Sequence, residues 1–280
     1  MNNLRAWLLM GLLTVLLVLI GKAVAGSSGA FMFFLIALCM NFFGYYFSDK
    51  IAIAMTGSQP LAEHEAPELY ALIRNLAQRA GIPMPRVYRT PSPQPNAFAT
   101  GRNPANAAVA VTDGLLQILN RSEVEGVLAH EIAHIKNRDV LVGTLAAALA
   151  GAITMIANAL QWGLIFGGRD DEEGGNPLGL IGSLAMIILA PLAATLIQLA
   201  ISRTREFEAD ATGARLAGSP HGLASALLKL ERAARHIPMQ VNPATSHLFI
   251  VNPLSAESFA RLFSTHPPIA ERVRRLQQMQ

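Results

Sequence analysis

His130-Glu131-Ile132-Ala133-His134 places two imidazoles and a carboxylate at a spacing that can hold a metal ion and use it. On a helix, residues four apart share a face. His130 and His134 can therefore bind Zn²⁺ through ring nitrogens, with Glu131 beside the metal as general base. The chemistry such a set performs is metal-assisted hydrolysis of a peptide bond. A catalytic zinc takes three protein ligands plus water, so a third His, Glu or Asp must be delivered by another part of the chain. Glu206 and Asp210, also four apart, are the candidates, Glu206 as ligand and Asp210 as the acceptor that orients a histidine ring. Glu208 lies close by, and Arg203 and Arg205 could instead pair with these acids on a solvated helix face. The residues alone leave both readings open.

The elements that must position these groups are set by a composition unlike that of a soluble enzyme. The 280 residues are 52% hydrophobic and 15% charged, against about 25% charged in an average globular chain; mean hydropathy is +0.36. Four apolar runs stand out: Trp7–Ile20, extending towards Ala25; Ala30–Phe47; Val140–Phe166; and Leu178–Ile201. A membrane-crossing helix needs roughly 20 apolar residues. The last two runs meet that length, and the first is short enough to invite a signal-peptide reading, which the second run directly behind it opposes. Between the third and fourth runs, Arg169 is outnumbered by Asp170, Asp171, Glu172 and Glu173, whereas Lys136, Arg138, Arg203 and Arg205 flank the other ends. Because basic flanks stay cytoplasmic, the 167–177 loop is expected outside, with both termini and the H-E-x-x-H segment inside. The expected division is a transmembrane hairpin at 1–48, a zincin domain at 49–139, a second hairpin at 140–201, and a segment 202–280 that completes the metal site. A membrane hairpin returns the chain beside its point of departure, so the 72 positions between His134 and Glu206 need not mean distance.

Within 49–139, Leu69, Leu72, Ile73, Leu76 and Ala80 recur at helical spacing, and Gly81 is a stop signal. Arg86–Tyr88 predicts a short strand; Asn96–Gly101 and Ala107–Val111 predict two more around a Gly/Asn/Pro turn. Ser122 with Glu125 has the pattern of a capping box for a helix through 130–136 that runs on towards the third apolar run. Helices are expected at 203–217, 221–236 and 268–279, with 237–256 irregular. The strand at Asn96, Ala97, Phe98, Ala99 and Thr100 could offer an exposed edge to an extended peptide; the alternative for Asn96 is a turn residue.

Taken together, these pieces resemble the HtpX-type membrane zinc metalloproteases, relatives of the CAAX prenyl proteases. The matching segments are Asn96–Gly101, His130–His134, Ser202–Asp210 and Ser264-Thr265-His266-Pro267-Pro268, in the family's order and with its four apolar runs. The resemblance implies a mainly α membrane protein: four transmembrane helices carrying a cytoplasmic α+β zincin-like metalloprotease domain. It implies Glu206 as the third ligand to one Zn²⁺ per subunit, with Asn96 near the scissile bond. It also implies multi-pass residence in a bacterial inner membrane and quality control of membrane or misfolded polypeptides, with other quality-control proteases as partners. His266 would donate to the oxyanion, as a family histidine is thought to do; a capping or packing histidine is the alternative.

Other residues are plainer. Arg272 and Arg274 are expected to pair with acids or face the lipid surface, and His64, His221, His236 and His247 to be surface or packing residues. The single cysteine, Cys39, excludes an intrachain disulfide and a thiolate metal site. A net charge of +3, with its cations beside apolar runs, describes a lipid bilayer as partner rather than nucleic acid. An intramembrane protease would bury its motif in lipid, but Arg121, Glu123, Glu125, Lys136 and Arg138 surround this one. A transporter would carry ionisable groups within its spans, and these have almost none.

Overall fold

The structure, a computed structural model, describes residues 2–150, 153, 203–237, 245, 248–251 and 267–279. The remainder of the third apolar run, the acidic loop, the fourth run and His266 lie outside the described residues.

The first helix, α1 (Asn2–Met55), is broken at Ala25 and Gly26, where Gly26 takes φ +60°. Its two halves fold against each other: the Asn41 amide donates to Thr14 Oγ1 (2.8 Å) and to the Met10 carbonyl (3.2 Å). Such polar bonds are useful between apolar helices, where burial alone provides little selectivity. Among the described residues, one helix is long and apolar enough to cross a membrane, the 31-residue stretch Ala25–Met55; Ala6–Lys22 is apolar but shorter. The next helix to share this apolar layer is α5 (Val140–Ala150), which packs Leu141, Leu145 and Leu149 with Leu9, Leu13 and Leu17 of α1.

The polar domain is mixed α/β. Strands β1 (Gln59–Pro60), β2 (Arg86–Thr90), β3 (Ala97–Gly101) and β4 (Ala107–Thr112) form one sheet in the order β1-β2-β4-β3. β2 and β4 run parallel, whereas β1–β2 and β3–β4 are antiparallel, with Phe98 opposite Ala110. Helix α2 (Pro67–Ala80) follows the periodicity of its sequence: Leu69, Leu72, Ile73 and Leu76 are buried, and Gly81 ends it in the left-handed conformation. A one-turn helix, α3 (Asp113–Ile118), leads into α4 (Arg121–Asn137). Helices α6 (Arg203–Ala217) and α7 (His221–His236) then pack against α4, and α8 (Ile269–Gln277) packs on α7 and α6. One core joins Ile73, Val109, Leu128, Ile132, Leu227 and Leu276.

Two local expectations are corrected. The capping box belongs to Asn120 and Glu123, not to Ser122 and Glu125: Asn120 Oδ1 accepts from the Glu123 N–H (3.0 Å), and Glu123 accepts from the Asn120 N–H (2.9 Å). Asn120 is extended, so its side chain reaches the first turn, while Ser122 is already helical and donates back to Asn120 (2.8 Å). Nor does α4 continue into α5. Arg138 adopts φ +60° and closes α4 through its N–H to His134 and Ile135 carbonyls, and the new direction turns Asp139 back towards the preceding turn.

Candidate metal centre

Helix α4 presents His130 and His134 on one face, and α6 lies across that face. The contact is close because Gly213 sits where a Cβ would come within 2.9 Å of the His130 backbone nitrogen. Glu206, Asp210 and Gly213 are spaced i, i+4, i+7, so the residue that permits the approach shares a helix face with the two acids. Both acids are buried, at 6% and 3% exposure, and Glu208 is exposed. The solvated-face alternative for Glu206 and Asp210 is thereby removed.

The two imidazoles are held in matching ways. His130 Nδ1 lies 2.9 Å from Asp210 Oδ1, and His134 Nδ1 lies 3.3 Å from Asp139 Oδ2. An ionised carboxylate can only accept, so each Nδ1 carries the hydrogen and each Nε2 turns a lone pair inward. Those lone pairs meet: His130 Nε2 and His134 Nε2 are 3.1 Å apart, and Glu206 lies 3.8 Å from the first and 3.5 Å from the second. Ligands about 2.05 Å from a tetrahedral zinc stand roughly 3.3 Å from one another, so these separations bracket the spacing a shared ion requires. Three ligand atoms converging in this way form the donor set that a shared metal ion requires. The residues fit zinc.

The electrostatics act in opposite directions on the two rings. Burial and the Arg272 charge push His130 down. At His134 burial also acts downward but is outweighed by the Asp139 hydrogen bond, Glu206 and Glu131, so its value rises. His134 thus favours its protonated form until a metal ion takes the place of the Nε2 proton. Glu131, 2% exposed, is pushed up to about 7 by burial, with Glu206 adding to the rise and His134 and the Ala99 N–H opposing it. A carboxyl near neutrality is matched to taking a proton and returning it.

Residues 63–280 match the sequence pattern of peptidase family M48. The chain belongs to peptidase family M48. Within that family it is similar to proteins named Protease HtpX homolog. It is 69% identical over 279 residues to one from Pelotomaculum thermopropionicum, covering 100% of this chain and 99% of that protein. It is 56% identical over 277 residues to one from Pyrococcus furiosus, covering 98% and 95%. A crystal structure of S. mikatae Ste24p is matched at 21% identity and a TM-score of 0.47, over 95% of this chain and 62% of that one.

The substrate-strand expectation for this M48 peptidase is corrected in one respect. β3 is the last strand of the sheet, but Asn96, Ala97, Phe98, Ala99 and Thr100 are buried rather than exposed. Helix α4 packs against the strand, and Phe98 also stacks edge-on with Phe249 at 5.0 Å. Its outward backbone groups are engaged too. The Ala97 carbonyl accepts from Ile250 N–H (3.0 Å), the Ala99 N–H faces Glu131, and the Gly101 N–H donates to Thr144 Oγ1 (3.3 Å). Asn96 is no turn residue: its amide donates to the Val251 carbonyl (2.6 Å) and accepts from the Val251 N–H (3.3 Å).

Arg272 was expected to pair with an acid or face lipid. It pairs with an acid, but inside the site and fully buried. Its Nε and Nη2 bind the two oxygens of Asp210 at 2.9 and 2.7 Å, and Nη1 reaches the Ile250 carbonyl at 3.2 Å and Glu206 at 3.7 Å. Asp210 is accordingly held well below the usual carboxylate range, burial being outweighed by the guanidinium. The role beside the histidines was missed, although a signal existed. Arg272 lies on the same face of α8 as Val273 and Leu276, a buried stripe on which an unpaired cation could not stand. Arg274, His64, His221 and His236 are exposed as expected.

Proposed function

We propose that this chain is a zinc-dependent endopeptidase that cleaves membrane or misfolded polypeptides at the membrane face carrying its polar domain. The convergence of His130, His134 and Glu206 around one point, with Glu131 on the same helix, carries the reading. His130, His134 and Glu206 would hold one zinc ion per subunit. When bound, the ion supplies Lewis-acid polarisation and a more acidic water. Glu131 accepts the attacking water's proton and returns it to the leaving amine, as a buried carboxyl poised near 7 can. Asp210 and Asp139 keep the two rings in the tautomer that presents Nε2, and Arg272 keeps Asp210 ionised. An extended substrate would lie along Asn96–Thr100 in the place that Ile250 and Val251 take here, whose contacts with Asn96 and Ala97 are of the type a bound peptide would make. His266 is the proposed oxyanion donor.

The apolar helix Ala25–Met55 supports membrane association. The finer arrangement is also proposed: transmembrane hairpins at 1–48 and 140–201, the division of the polar part into 49–139 and 202–280, both termini and the site in the cytoplasm, and residence in a bacterial inner membrane. Zinc content of the purified full-length protein, with casein digestion before and after chelation, tests the activity. Stoichiometric zinc and chelator-sensitive cleavage are expected; digestion that survives complete zinc removal would exclude the mechanism.

A further inference from the structure

Where α1 ends, a cavity of about 570 Å³ opens between the helix and the sheet, within the size range of small-ligand sites. Three elements contribute cations to its lining: Lys50 of α1, Arg86 at the start of β2, and Arg102 in the turn between β3 and β4. Asp49 is the sole carboxylate in the lining and is already paired with Arg86. Among the described residues no acid neutralises Lys50 or Arg102. Both lean on aromatic rings instead, Lys50 Nζ 5.4 Å from the Phe47 centroid and the Arg102 guanidinium 5.3 Å from that of Tyr46. Arg102 is further fixed by a bond to the Tyr46 carbonyl (3.2 Å). One acid against three bases leaves two positive charges facing the cavity.

The cavity's other half is apolar and outward-facing. Phe42 is 54% exposed and Tyr46 48%, on the last turns of the helix that is long enough to cross a membrane. Aromatic rings followed by basic residues at the end of such a helix mark the level of the lipid headgroups. A soluble anion would use the charges and leave the aromatic surface in water. A molecule with a phosphate beside an acyl chain uses both, since the guanidinium fork and the ammonium suit phosphate oxygens.

We propose that this cavity binds the phosphate headgroup of an anionic phospholipid, seating the polar domain against the bilayer. The proposal rests on the reading of Ala25–Met55 as a membrane helix. The zinc-loaded full-length protein, in detergent, is titrated with phosphatidylglycerol, phosphatidylcholine and inorganic phosphate and followed by native mass spectrometry. Phosphatidylglycerol should bind at least tenfold more tightly than phosphatidylcholine. Lys50→Gln and Arg102→Gln should each weaken it about fivefold, and together about thirtyfold, with phosphatidylcholine binding and casein cleavage unchanged. Both side chains lie at the surface, so the variants should fold. Equal binding of the two lipids, or full phosphatidylglycerol affinity in the double variant, would overturn the site. Inorganic phosphate binding as tightly as the lipid would also overturn it, in favour of a free-anion site. Flotation with phosphatidylcholine vesicles separates the two levels. Protein that fails to float refutes the membrane helix, whereas protein that floats but ignores phosphatidylglycerol refutes the headgroup site alone.

Discussion

Replacing Arg272 by Met should affect stability and metal binding by separate routes. The guanidinium is fully buried and makes two bonds to Asp210 and one to the Ile250 carbonyl. Methionine fills similar space but leaves Asp210, 3% exposed, with His130 Nδ1 as its remaining partner among the described residues. Breaking a buried ion pair from one side costs about 3–5 kcal/mol, a large share of a typical domain's ~5–15 kcal/mol. Without the guanidinium, burial dominates and the Asp210 carboxyl rises. A protonated Asp210 no longer holds the His130 ring as a charged acceptor, and loss of such support typically weakens metal affinity about 10–100-fold. Adding Asp210→Asn removes the stranded charge, so the double variant should regain a large part of the lost stability while zinc binding stays weak. Chemical unfolding of the detergent-solubilised protein and zinc competition against a chromogenic chelator read the two effects. Arg272→Met unfolding within about 1 kcal/mol of the parent, with zinc affinity unchanged, would refute the chain of support from Arg272 through Asp210 to His130.

Four further outcomes are expected. Glu131→Gln should keep zinc but lower casein cleavage by about 10²–10⁴-fold, the usual share of general acid–base catalysis; full activity with zinc bound would remove Glu131 from the mechanism. Glu206→Ala should purify with little zinc by elemental analysis, and stoichiometric metal would take it off the ligand set. Gly213→Ala places a Cβ 2.9 Å from the His130 backbone, so it should destabilise by about 1–3 kcal/mol and lower zinc occupancy, whereas Gly11→Ala, with open space around it, should leave zinc occupancy unchanged. At Glu123, burial acts upward but is outweighed by Lys229, Ser225 and the Asn120 N–H, so the carboxyl lies below its ordinary value. A carboxyl lowered by folding contributes stability above its unfolded value, about 4.3, and loses it as pH falls through the lower folded value. Unfolding measured from pH 6 to 3 should therefore show an acid-dependent loss that Glu123→Gln diminishes.

The polar domain's helices were legible because their signals are local. Leu69, Leu72, Ile73 and Leu76 write the buried face of α2 in the sequence, and Leu223, Ala224, Leu227 and Leu230 do the same for the helix at 221–236, whereas the helix at 203–217 buries Glu206, Asp210 and Gly213. The capping box was displaced by two positions because Asn120-x-x-Glu123 and Ser122-x-x-Glu125 both satisfy the pattern, and the backbone angles chose between them. The edge at Asn96–Thr100 was misjudged as exposed because the segment that covers it, 249–251, is more than 150 positions away.

Sequence alone determined the chemistry that His130, Glu131 and His134 can perform, since covalent spacing on a helix puts the two rings on one face whatever surrounds them. It also determined that Glu206 and Asp210 point the same way, for the same reason. Only tertiary packing decided that they point at the histidines. Gly213 lets α6 approach α4, the left-handed turn at Arg138 swings Asp139 onto His134, and α8 brings Arg272 to Asp210 across 62 positions. Those contacts depend on the relative placement of elements, which arises from burial of a shared core and leaves no spacing in the chain to read.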